Sequence, residues 1–106
     1  MRDDRARLLD IIEAIERIDK YAARGRQAFE QEELVQTWIV HHLILIGEAA
    51  AALSDVFCGK HPEDIWREAI GRRNILIHQY FGINLELVWL AVVRDLPVLT
   101  REGDPR

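Results

Sequence analysis

Trp38 to Ile46 reads W-I-V-H-H-L-I-L-I, and this stretch decides the kind of fold the chain can have. Apolar residues occupy most angular positions of a helix drawn through it. A helix that is apolar around its circumference must be covered on more than one side. A transmembrane reading is disfavoured, because His41, His42 and Glu48 interrupt the run short of the roughly 20 apolar residues a bilayer requires. What remains is a central core helix. The rest of a small bundle covers one side of it, and the other side calls for a partner, most simply a second copy of the chain. The expectation is a homodimer packed partly through this second helix, with no membrane involved.

Working outward, the flanking text is helical. Leu8, Ile11, Ile12, Ile15, Ile18 and Ala22 recur at helical spacing, which predicts a first helix over about 3–24. Asp3 and Asp4 suit the positive end of its dipole, and Gly25 suits its end. Residues 26–30 read as a connection, with Phe29 turned back onto the bundle. The second helix is then expected from Glu30 to Phe57 or Cys58, stopped by Gly59. Gly47 and the alanines Ala49 to Ala52 would let another helix approach closely, and the alanines also favour helix outright.

His61-Pro62 predicts the start of a short third helix, since proline fits the first helical turn, and Gly71 its end. A fourth helix follows over about 73–81, stopped by Gly82. Asn84 is a fitting N-cap for the last helix, with the stripe Leu85, Val88, Trp89, Val92 and Leu96. Pro97 should kink or restart that helix, and residues 101–106 are expected to fray. The fold class is all-α, a compact four- to five-helix bundle forming one domain over residues 1–106.

Composition agrees with an ordinary globular chain: 49% hydrophobic and 30% charged residues exclude a disordered polymer. Cys58 is the single cysteine, so neither a disulfide framework nor a cysteine-based metal site is expected. Arg2, Asp3, Asp4 and Arg5 precede any apolar run, which argues against a signal peptide and for the cytoplasm. The net charge of −4 has the wrong sign for a nucleic-acid binder. Acidic residues, however, concentrate in the first half, whereas Arg67, Arg72 and Arg73 lie together further on.

Arg72 and Arg73 open the most reactive stretch of the chain. Arg72 to Asn84 reads R-R-N-I-L-I-H-Q-Y-F-G-I-N, with Arg73, four residues, His78, one residue and Tyr80 at its centre. An arginine and a histidine are the minimum set for cutting RNA without a metal. The guanidinium fork suits phosphate oxygens, and an imidazole exchanges protons near neutrality. Spacing sets a condition: five residues subtend about 500° of helix, so the two side chains would point about 140° apart. They meet at one phosphate only if Arg73 sits at or before a helix start, for which Gly71 provides a break, or they serve different sites. Asn74 and His78, four apart, share a face.

The same stretch resembles the signature of the HEPN superfamily, in particular its HepT-like branch, with Arg, four residues, His, one residue and Tyr. I-G-E-A-A-A-A-L-S on the preceding helix, I-W before the motif and V-W with D-L-P after it are similar as well, so the resemblance spans about 8–99. It implies a ribonuclease toxin that cleaves RNA, with tRNA as the expected target, and that needs no cofactor or metal. His78 would be general base or acid and Arg73 the phosphate clamp, with Asn74, Arg72 and Glu48 in support. It also implies that Tyr80 accepts adenylyl groups from a cognate minimal nucleotidyltransferase antitoxin, which would block the phosphate site by bulk and charge. A dimer gives the spacing a further meaning, because an arginine of one subunit could complete the site of the other.

Other readings compete with this one. A non-catalytic helical partner that docks onto a nucleotidyltransferase is the main rival, favoured by the acidic charge; a nucleotide-binding domain without RNA chemistry is the third. Asn74 reads equally well as a cap of the motif helix. His41 and His42, adjacent on a helix, read as one interface and one surface residue. Glu48, in an apolar turn, would need a partner if buried, and the motif arginines are the candidates.

Overall fold

The computed structural model describes residues 3–60, 65–79 and 82–106; the expected start of the third helix at His61-Pro62, and Tyr80, lie outside the described residues. These residues form helices and connections, with no strand among them. The first helix, α1 (Asp4–Ala22), opens on Asp3, whose carboxylate accepts the Ala6 N–H at 2.9 Å. Of its expected stripe, Leu8, Ile11, Ile12, Ile15 and Ile18 are buried and Ala22 is half-buried. Gly25 then takes φ 96°, a left-handed value that L side chains resist, and turns the chain.

The expected connection is instead a short helix, α2 (Arg26–Gln31), that does seat Phe29 in the core. Its ring centroid lies 5.3 Å from that of Trp89. The long helix α3 (Glu33–Ala51) is the centre of the bundle, packed between α1 and α5. By length and composition alone its 19 residues match a membrane-crossing helix. In the fold Val35, Ile39, Val40, Leu43 and Ile46 are core residues, which accounts for that hydropathy.

The expected continuation of this helix to Phe57 or Cys58 does not occur. It ends at Ala51, and Ser54 caps a separate helix, α4 (Asp55–Gly59), by accepting the Phe57 N–H at 3.1 Å. The same hydroxyl donates to Asp4 Oδ2 at 2.6 Å while the Ser54 N–H donates to Asp4 Oδ1 at 2.8 Å. A side chain on α1 therefore fixes the break.

A larger correction concerns the motif. No helix ends at Gly71; one continuous helix, α5 (Ile65–His78), carries both the expected third and fourth helices. Trp66, Ala69 and Leu76 bury one face of it. That packing overrides the roughly 1 kcal/mol by which glycine disfavours a helix interior.

The last rod begins at α6 (Leu85–Leu90), where Asn84 Oδ1 accepts the N–H groups of Glu86 and Leu87, as its sequence predicts. It passes through a π turn, Ala91–Asp95, and ends as α7 (Leu96–Gly103). Pro97 has no N–H and cannot satisfy the carbonyl four residues back. The helix meets this with wider bonding, the Leu96 N–H donating to the Ala91 carbonyl five residues earlier. The tail expected to fray is helical as far as Gly103, which is buried against Trp66. The four main rods α1, α3, α5 and α6–α7 form the all-α bundle.

Candidate functional site

The unbroken α5 fixes where the motif side chains go. Arg73 and His78 lie on one regular helix, so they point about 140° apart and stand about 7.5 Å apart along its axis. The start-of-helix arrangement that would let them share a phosphate within one chain is absent.

Arg73 faces α3. A Cβ added to Gly47 would stand 2.2 Å from the Arg73 Cβ, so the missing side chain at 47 makes room for the arginine stem. The Arg73 side chain is 22% exposed, and its Nη1 lies 3.9 Å from Glu48 Oε1. Its Nε is buried without a hydrogen-bond partner among the described residues. Glu48 is thus beside a motif arginine, as its position in an apolar turn suggests. The carboxylate is not buried, however; its side chain is 55% exposed. A pair at that distance and exposure is a loose electrostatic contact that leaves the guanidinium able to turn toward an anion.

His78, the last residue of α5, is exposed, and so is Asn74 one turn earlier on the same face. Asn74 is inside the helix, which removes the capping role that its sequence position allowed. Arg72 is directed elsewhere. It pairs with Asp95 of the π turn at 2.5 Å and ties α5 to the last rod. Burial lowers its pKa from the ordinary arginine value, opposed by the Asp95 and Glu68 carboxylates, and guanidinium remains charged throughout.

The paired histidines on α3 diverge. His41 is exposed, whereas His42 is 3% exposed and belongs to the interior, not to a surface or interface. Its Nδ1 lies 2.7 Å from the Trp38 carbonyl oxygen, which can only accept, so Nδ1 carries the proton. The ring centroids of Trp38 and His42 lie 4.4 Å apart, with the planes tilted by 41°. Burial holds the His42 pKa below its ordinary value, aided by His41 and Arg17 and opposed by the Trp38 hydrogen bond. Among the described residues, no three His, Cys, Asp or Glu side chains are grouped to hold a metal ion.

Sequence reasoning missed a groove of about 580 Å³ between α5 and the last rod. Gly71, Ile75 and Gln79 form one wall, Leu87 and Val88 the other, and Arg94 lies toward one end. No local feature of the sequence marks it, because it forms only where the exposed Ile75 of α5 meets the last rod.

Comparison with known proteins identifies the family of the chain. The family described as "Ribonuclease HepT-like" matches residues 11–103. A candidate RNase of Methanocaldococcus jannaschii is 34% identical over 102 residues, covering 95% of this chain and 94% of that protein. A candidate ribonuclease HepT of Thermococcus cleftensis is 37% identical over 93 residues, covering 87% and 84% of the two chains. A candidate RNase of Caldanaerobacter subterraneus subsp. tengcongensis is 31% identical over 85 residues, covering 80% and 76%. No solved structure matches significantly. The extent of these matches makes the chain a member of the HepT-like ribonuclease family.

Proposed function

We propose that the chain is a metal-independent endoribonuclease, acting in the cytoplasm as the toxin of a toxin–antitoxin pair, with tRNA as substrate and its two-part site completed across a homodimer. The observation that carries this reading is the divergence of Arg73, which faces α3, and the solvent-exposed His78 on one helix. Each can act on a phosphodiester, yet one chain aims them in different directions. In a two-fold dimer the same surface meets itself, so the Arg73 of one copy can serve the His78 of the other. The solvent-facing Leu45 on α3 and Ile77 on α5 support a contact through these two helices.

The chemistry follows from the two groups. His78 takes the proton of a ribose 2′-hydroxyl. The freed oxygen attacks the adjacent phosphorus, and the bond from phosphorus to the 5′-oxygen breaks. The departing oxygen takes up a proton, and a 2′,3′-cyclic phosphate remains. Arg73 stabilises the charge that gathers on the other phosphoryl oxygens, with Asn74 and Glu48 holding substrate and guanidinium in register. Arg72 supports the site indirectly by anchoring α5. Adenylylation of Tyr80 by a nucleotidyltransferase antitoxin would place a bulky anion two residues along the chain from His78, repelling the substrate phosphate.

The test is incubation of unmodified protein with tRNA in EDTA beside His78→Ala, with analysis of the fragment ends. Cleavage by the parent alone, leaving 2′,3′-cyclic phosphates, is the expected result. Equal cleavage by both, or none by protein shown by mass to lack an adduct, would count against it.

A further inference from the structure

We propose that the groove between α5 and α6 is the base subsite of the enzyme, holding the nucleobase next to the phosphate on which His78 acts and selecting adenine through the Gln79 amide. This rests on the nuclease reading above.

The placement comes from helix geometry. At 100° per residue, the residues on the α5 side that line the groove (Glu68, Gly71, Arg72, Ile75, Leu76 and Gln79) centre about 90° from His78 and about 130° from Arg73. The groove therefore runs along the flank of α5 next to the histidine face and lies nearer to it than to the arginine of the same chain. A phosphate at His78 has its flanking base within reach of this wall.

The chemistry of the lining suits a splayed base. RNA is read by sequence chiefly where single-stranded bases leave the stack and slot between apolar side chains while a polar group reads an edge. Ile75 and Leu87 are exposed on opposing walls, and Leu76 and Val88 close the floor. The volume of about 580 Å³ falls in the range of small-molecule sites. Gln79 sits at the His78 end. Its main-chain N–H continues the helix by donating to Ile75, and its side-chain amide has no hydrogen-bond partner among the described residues. An amide offers one acceptor beside its donors, the pattern that matches the N6 and N7 edge of adenine. Arg94, toward the other end, is exposed and has no ion pair among the described residues. It is placed to meet a neighbouring phosphate, which contributes affinity without base choice.

Two measurements on the full chain test this. The first is the cleavage profile on single-stranded oligoribonucleotides that vary only in the nucleotide beside the cut. The second is the affinity of the same oligomers carrying a 2′-deoxy residue at the cut, which cannot react. Gln79, Leu87 and Arg94 are exposed, so Gln79→Ala, Leu87→Glu and Arg94→Ala should all fold, with circular dichroism as the check. The parent should prefer adenine. Gln79→Ala should flatten that preference by roughly five- to a hundredfold, and Leu87→Glu should weaken every base. Arg94→Ala should weaken binding evenly and leave the preference intact. An unchanged preference in Gln79→Ala, together with undiminished binding by Leu87→Glu, would overturn the subsite while leaving the nuclease reading in place. Selective binding of the blocked oligomers without cutting of the reactive ones would uphold the subsite and overturn the nuclease reading. Neither binding nor cutting by the parent would overturn both.

Discussion

Gly47 of α3 and Arg73 of α5 occupy each other's space. A Cβ at 47 would stand 2.2 Å from the Arg73 Cβ and 2.8 Å from the Ala69 carbonyl oxygen. The arginine stem lies where any other residue would carry its side chain. The position of a candidate catalytic group is therefore set by an absent atom on the neighbouring helix.

Gly47→Ala should accordingly destabilise the protein despite alanine's better helix propensity. The clash with main chain at Ala69 cannot be relieved by a rotamer change, and overpacking of this kind costs about 1–3 kcal/mol. Urea unfolding should show a lower midpoint. A midpoint equal to or above that of the parent would mean that α3 and α5 separate freely.

Mixed dimers discriminate between a site within one chain and a site across two. Arg73→Ala and His78→Ala should each be inactive alone, with losses of roughly 10²–10⁴ for the histidine. Unfolded together and refolded as a mixture, half of the dimers are mixed. If the site is shared, each mixed dimer keeps one intact copy, so about a quarter of parental activity returns. Silence in the mixture would place both groups in one chain's site.

Arg73→Lys keeps the charge and loses the planar fork, and lysine does not replace arginine at a two-point phosphate contact. Activity should fall at least about tenfold, mostly in kcat. Parental kcat in this variant would reduce the role of Arg73 to simple charge.

His42 gives the fold a pH dependence. Its folded pKa lies below its ordinary 6.5 because of burial. As pH falls through that value the unfolded chain takes up a proton that the folded chain refuses, and stability is lost down to the lower folded pKa. The slope from one such group is at most about 1.4 kcal/mol per pH unit. His42→Leu should remove this component, so the stability curves of parent and variant should converge or cross as pH drops below 6.5. Parallel curves would mean that His42 protonates freely in the fold.

Much of this was readable from residues because the signals were local. The stripe of α1, the acidic start at Asp3 and Asp4, the Asn84 cap and the all-round apolarity of Trp38 to Ile46 each need only neighbours in sequence. What was misread depends on distant partners. Gly71 looks like a stop, yet Trp66 and Leu76 on either side of it are buried and carry the helix across. Leu53-Ser54 looks like helix interior, yet Asp4, fifty residues earlier, fastens Ser54 as a cap. At the site, spacing correctly paired Asn74 with His78 and correctly warned that Arg73 diverges. It could not show that Arg72 belongs to Asp95, or that a groove opens beside His78, because both need the last rod in place.

The π turn at Ala91–Asp95 amounts to one residue more than a plain helix of the same length would need. Removing any one of those five would leave a rod that still closes as an uninterrupted α-helix. The segment beyond would then be turned by about 100°, carrying Gly103 away from Trp66 and Asp95 away from Arg72. Sequence length is thus under tighter control here than sequence identity. The rod tolerates exchange of its exposed Val93 and Arg94 more readily than the loss of either.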